Sequence, residues 1–419
     1  MGTVKLLIVF VVMMILLWKK KPLAPVVTGA SIVLAFLYGT DIVGFFKMAW
    51  MATKDQDTVE LAAILTMIMI LERILRQQGY LERMLNALTG LFQDRRTVMA
   101  IIPGFIGLMP SAGGALFSAP LVEQAVGKAA TAEQKAFINF YYRHIWDYFL
   151  PIYPGVLLAA KITGIPLVTM ILGLMPYGIL IILMGLPYLY TMKMKEVETS
   201  TATPGSENLS DVSAVSEYST DPKVRNNLIK DVVLSTLPVV VLVGLVLASV
   251  NIILAVVIVV GVLLLKHGYT PRKFISLVRE AVVVKTLVIL WAIMFFKEVM
   301  TATGSIDGLP LLLGKLPIPE FAVVGLISFL VAYLTGQTGF YVGIAFPVII
   351  AASGGAVSLP LAVFVFVSGS AATMLSPMHL CLSLTIDYFK ADLSKVLGKL
   401  IIFESILVFV ALLMYLVLR

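Results

Sequence analysis

The sequence predicts an all-α polytopic membrane protein built of two inverted-topology repeats, each with about five transmembrane helices and one re-entrant hairpin. Three observations lead there. The 419 residues are 60% hydrophobic and 13% charged, with a mean hydropathy of +1.00, whereas a soluble domain carries about 25% charge. Two stretches, 97–127 and 321–350, each set half-length apolar arms around a small, glycine-rich tip, and the second tip follows the first by 225 residues. A polar stretch, 193–228, separates a first repeat, 1–192, from a second, 229–419.

In the first half, apolar spans are expected over 4–18 and 25–38, the first read as a retained helix because Lys19, Lys20 and Lys21 follow it without a small-residue cleavage pattern. Residues 41–57 are mixed and interfacial, 60–75 form a third span, and 76–96 are an amphipathic basic connector. The hairpin follows. Its arms run over 98–109 and 115–126, and at ~1.5 Å per residue each reaches about 18 Å, short of the ~30 Å bilayer core. Between them stand Pro110, Ser111, Ala112, Gly113 and Gly114. Pro110 lacks a backbone donor and the glycines permit the reversal. Residues 131–150 form the start of a span that breaks at Pro151 and Pro154, with Tyr153 in the break, and 165–190 close the half.

Residues 193–228, rich in Ser and Thr, bury too little apolar surface to order themselves and read as a disordered linker. Asn208-Leu209-Ser210 matches a glycosylation sequon, a motif short enough to arise by chance. Spans over 228–250, 252–265 and 281–300 then precede the second hairpin, whose tip is Thr335, Gly336, Gln337, Thr338 and Gly339. A span over 362–388 breaks at Ser376 and Pro377, and 400–418 close the chain. Ile64, Leu65, Ile68 and Met69 recur as Ile289, Leu290, Ile293 and Met294, Gly79 as Gly304, and Gly114 as Gly339, all at an offset of 225. Pro151 recurs as Pro377 at 226. Apolar matches arise easily by chance, but glycines, prolines and breaks kept in register imply duplication.

An odd number of full spans per half inverts the second repeat. With both termini outside and the linker cytoplasmic, 22 of the 31 Lys and Arg fall inside and 7 outside, the bias expected of inner loops. The net charge of +7 therefore points to membrane topology rather than nucleic acid. The single cysteine, Cys381, excludes an internal disulfide and a cysteine-rich metal site.

Candidate site residues lie at the tips and breaks. A broken helix offers unpaired N–H groups and a positive dipole end to an anion, and unpaired carbonyls to a cation. Ser111, Thr335, Thr338 and Ser376 add hydroxyls, and Gln337 an amide, suited to Na⁺ or to polar groups of a solute. A coupling Na⁺ is expected near Ser111 and Thr338. The plainer alternative is that the tip glycines serve only tight helix packing. Charges within membrane segments cost ~2.5–3.5 kcal/mol or more, which draws attention to Glu123, Arg143, His144, Asp147, His379 and Asp387. Arg143 and Asp147 stand four apart, a spacing that also lets them neutralise each other on one helix. His379 follows the second break by two residues, and its role there is either functional or structural.

Taken together, three spans, a hairpin, a broken helix and a closing span, repeated in inverted order, resemble the ion-transporter superfamily of divalent anion/sodium symporters, gluconate-type permeases and related antiporters. The tips at Pro110–Gly114 and Thr335–Gly339 occupy the places where the symporters carry Ser-Asn-Thr, which neither tip has. The breaks at Pro151 and Pro377 match that family's unwound helices. The chain is most similar to an uncharacterised integral membrane family within the superfamily. The resemblance implies a secondary transporter coupled to Na⁺ or H⁺. The recurrence of both tips and both breaks at offsets of 225–226 brings four half-helix ends together, which favours a small anionic solute. Hairpins 97–127 and 321–350 and broken helices 131–162 and 362–388 are expected to slide as one unit against a homodimeric scaffold of the remaining spans.

A cation/proton antiporter of the same architecture is the nearest alternative, and an uncoupled channel or pore the alternative from another class. Ser368-Gly369-Ser370 makes no G-x-S-x-G nucleophile elbow, and no phosphate-binding P-loop sequence occurs, so neither an enzyme nor direct ATP drive is expected.

Overall fold

The computed structural model describes residues 2–19, 21–92, 94–108, 114–194, 221–305 and 317–419. Among these the protein is all helix. The first tip, Pro110 to Gly113, and most of the linker lie outside the described residues.

The first half runs α1 (Gly2–Trp18), α2 (Leu23–Leu37), α3 (Ile42–Lys54), α4 (Gln56–Gln77), α5 (Tyr80–Leu91), α6 (Arg95–Ile106), α7 (Ala115–Val126), α8 (Ala132–Arg143), α9 (Pro154–Thr163) and α10 (Leu167–Thr191). The second runs α11 (Pro222–Leu247), α12 (Ile252–Lys266), α13 (Pro271–Ala281), α14 (Val284–Ala302), α15 (Glu320–Thr335), α16 (Thr338–Ala352), α17 (Leu359–Leu375), α18 (Leu380–Phe389) and α19 (Leu393–Leu418). By length and composition, four helical stretches are long and apolar enough to cross a membrane: α10, α11, α19 and the 359–389 segment, which breaks between α17 and α18. With several shorter apolar helices beside them, they mark a membrane protein.

Local signals start many of these helices. Asp41, Asp55, Asp94, Asp221, Asn251, Ser358 and Asp392 each accept a first-turn N–H, and Thr131 forms a capping box with Gln134. The cap at Asp221 and Pro222 starts α11 inside the stretch expected to be linker, so residues 222–228 are helical. The second tip is shorter than expected, because Thr335 ends α15 and Thr338 begins α16, leaving only Gly336 and Gln337 between them.

The first break comes earlier than Pro151. Helix α8 stops at Arg143, and a single 3₁₀ turn, Ile145–Tyr148, follows. Packing against α6 imposes this stop: the Trp146 indole donates to the Gly104 carbonyl 2.5 Å away, and Gly107 lies against the Arg143 carbonyl. Arg143 and Asp147 therefore stand on either side of the end of α8 rather than on one continuous helix.

Two packing groups result. In one, α2 packs on α14, α4 on α12 and α13, and α5 on α11, where Gly90 admits the Leu228 side chain. In the other, α6 to α9 pack with α15 to α18. The closing helices join this second group rather than the first. Helix α19 lies along α17 and α8, and α10 lies along α17. The Tyr141 hydroxyl donates to the Ile181 carbonyl at 2.8 Å, and Tyr148 donates to Glu404 at 3.0 Å. Small residues permit this approach, with Gly178 under Phe149 and Gly185 under Tyr141 and Tyr142.

Candidate functional site

A cavity of about 280 Å³ lies where the two groups meet. Leu65 of α4 and Thr286, Ile289, Leu290 and Ile293 of α14 form a largely apolar wall. The opposite wall is polar and comes from both halves. Arg143, His144, Asp147, Tyr153 and Pro154 enter from the first break, Gly336 to Phe340 from the second tip, and Thr373, His379 and Cys381 from the second break.

Three helices, α9, α16 and α18, begin at this wall. Their N-cap residues Tyr153, Gln337 and His379 make no side-chain cap bond. First-turn N–H groups and three positive dipole ends thus face the cavity. Arg143, 4% exposed, adds a fixed cation, and one of its Nη atoms donates to the Ile106 carbonyl at 3.4 Å. The backbone here is closely apposed. A Cβ on Gly155 would meet Thr338 Cβ at 2.9 Å, so α9 and α16 cross at van der Waals distance. A Cβ on Gly336 would stand 2.6 Å from the His379 nitrogen, which seats the second tip on the second break.

The other expected residues lie as follows. Thr338 lines the cavity, while Ser111, its proposed partner around Na⁺, is among the tip residues (Pro110, Ser111, Ala112 and Gly113) outside the described part. Gly114 is buried at the start of α7, away from the cavity lining. Thr335 returns its hydroxyl to the Val331 carbonyl at 2.8 Å. Ser376 donates to the Tyr333 carbonyl and accepts from the Met378 N–H, tying break to hairpin behind the cavity. Pro151 is buried and Pro377 exposed, and both sit outside the lining. Glu123 pairs with Lys135 at 2.6 Å, and Asp387 is exposed, so neither reaches the cavity.

Several buried polar residues escaped the sequence reading. Asn139 is fully buried, and its amide reaches the Ala115 carbonyl and the Thr385 hydroxyl, each at 3.3 Å, joining α7, α8 and α18. Glu404 is 1% exposed in the middle of α19. A carboxyl inside a 26-residue apolar helix is itself a signal. Cys381 enters the cavity too, through a fold that places it beside two histidines.

One protein family, described as "Protein of unknown function (DUF401)", matches residues 2–206 and 219–418. The chain belongs to that family. No curated protein matches it. The family match omits 207–218, within the polar stretch between the halves.

Proposed function

We propose that this member of the DUF401 family is a secondary active transporter that moves a small anionic solute across the cell membrane, coupled to Na⁺ or H⁺, by elevator-type alternating access. The observation that carries the proposal is the cavity. Three uncapped helix starts and the buried Arg143 converge there from both halves of the chain, a combination suited to an anion. Its volume fits a small molecule, and the Thr338 hydroxyl and the Gln337 amide in its lining would offer oxygen ligands to a coupling cation.

The inverted duplication has independent support. Positive-φ residues follow α2, α4, α7 and α9 at Gly39, Gly79, Gly127 and Gly164. They recur after α12, α14 and α18 at Gly268, Gly304 and Lys390, and two residues after α16 at Gly354. The packing is reciprocal as well: α2 on α14 mirrors α12 on α4, and α7 on α18 mirrors α16 on α9. In this reading α6–α7 and α15–α16 are re-entrant hairpins. The mobile unit comprises α6 to α10 with α15 to α19, and the apolar wall of α4 and α14 belongs to the scaffold of a homodimer.

The test is flux in proteoliposomes, with candidate anions chosen by a ligand-stabilisation screen. Saturable uptake that requires an inward Na⁺ or H⁺ gradient is expected. Non-saturating flux indifferent to both gradients would identify a pore instead.

A further inference from the structure

We propose that His144, His379 and Cys381 form a binding site for a soft or borderline divalent cation of the Zn²⁺ class, bridging the two broken helices. Each side chain is buried, and their ligand atoms all lie within 4.8 Å of one another. His144 comes from the end of α8 in the first half, while His379 and Cys381 flank the first residue of α18 in the second.

Hydrogen bonding prepares both imidazoles. His144 Nδ1 lies 2.6 Å from the Phe140 carbonyl, and His379 Nδ1 lies 3.1 Å from the Thr373 carbonyl. A carbonyl only accepts, so each Nδ1 carries the proton and each Nε2 keeps a lone pair, with both imidazoles within hydrogen-bond reach of the Cys381 sulfur. Metal-ligating histidines are oriented in this way by an outer carbonyl. Two imidazoles and one thiolate select Zn²⁺ or Co²⁺ over Mg²⁺ or Ca²⁺, which prefer oxygen. On binding, the thiol proton leaves to water. Three protein ligands leave one tetrahedral position open towards the cavity, where Asp147 stands. The positive charge of Arg143 opposes the cation, and the thiolate and the Asp147 carboxylate offset it. The arrangement extends the transport reading but depends on neither the solute nor the direction of movement.

Cys381 is the chain's single cysteine, which allows a test without substitution. Full-length protein, purified on a tag without histidines, is labelled with a maleimide with and without Zn²⁺. Protection at about one Zn²⁺ per chain, reversed by a chelator, is expected. Co²⁺ in place of Zn²⁺ should give tetrahedral d–d bands with a sulfur-to-cobalt charge-transfer band. In Cys381→Ser that band should vanish, and in His379→Gln affinity should fall at least ~10-fold. Monodisperse protein that binds no stoichiometric Co²⁺ and labels equally with and without Zn²⁺ overturns the site. All these readouts are of binding, so failed transport leaves them interpretable and failed binding leaves the transport reading standing.

Discussion

Two glycines of the second tip, three residues apart, carry opposite constraints. Gly336 has φ of +65°, and any Cβ there would meet the His379 nitrogen and the Met378 carbonyl carbon at 2.6 Å. Backbone cannot swing aside as a side chain can, so Gly336→Ala combines that clash with left-handed strain of ~1–3 kcal/mol. The expected outcome is a lower thermal midpoint and a reduced yield of monodisperse protein. Gly339 has only Pro154 Cβ near its missing Cβ, at 3.8 Å, and it lines the cavity. Gly339→Leu should therefore fold and insert normally while abolishing flux in proteoliposomes. Unimpaired flux in that variant would place the solute elsewhere. The sequence made the tip legible because Gly, Gln and Thr interrupt an apolar run. Glu404 was less legible because its partner, Tyr148, lies 256 residues away.

At the scale of elements, the helix ends show where local signals stop. The arm 115–126 matches α7 to the residue because small and polar residues bound it, whereas α8 ends eight residues before Pro151 through its contacts with α6. The start of α11 was legible, since Asp followed by Pro is a helix-start signal that the polar composition around it obscured. Composition alone supports one prediction: deleting 200–218 should leave yield and flux nearly unchanged, as the family match also passes over 207–218. A large loss of active protein would make that stretch a functional element.

The turn between α12 and α13 titrates. His267, outside the spans, accepts or donates at 3.0 Å with the Tyr80 hydroxyl, and partial burial, then Lys266 and Arg83, hold its pKa below the usual value. The folded state therefore binds fewer protons than the unfolded chain. Its contribution to stability is full above about pH 6.5 and is lost as pH falls through the depressed folded value. His267→Gln should shrink the difference in thermal midpoint between neutral and mildly acidic buffer, and an unchanged difference would remove His267 from the acid response.

For the whole molecule, charged side chains from distant parts of the sequence meet in two separate sets of contacts. Lys161 meets Asp57 at 3.1 Å and Glu60 at 2.5 Å, and Lys297 meets Asp57 at 3.7 Å. Arg96 meets the carbonyls of Leu189, Tyr190 and Met192, each at 2.9 Å, and Lys399 meets Tyr188 at 2.7 Å. The cavity lies between the two packing groups, so movement of one against the other would carry its contents across the apolar wall. The contact of Gly343 on α16 with Ile293 on α14 tests this directly. A Cβ built on Gly343 lies 3.2 Å from Ile293 Cβ, slightly inside the usual disulfide range of ~3.5–4.5 Å, and replacing Ile293 removes the branched atoms that would clash. In the double variant Gly343→Cys, Ile293→Cys, oxidation should form an internal disulfide and stop flux, and reduction should restore it. Each single variant should be indifferent to oxidant. Full flux through protein shown by mass to be cross-linked would mean that α14 and α16 do not move past each other, and the elevator mechanism would fall while the anion site stood.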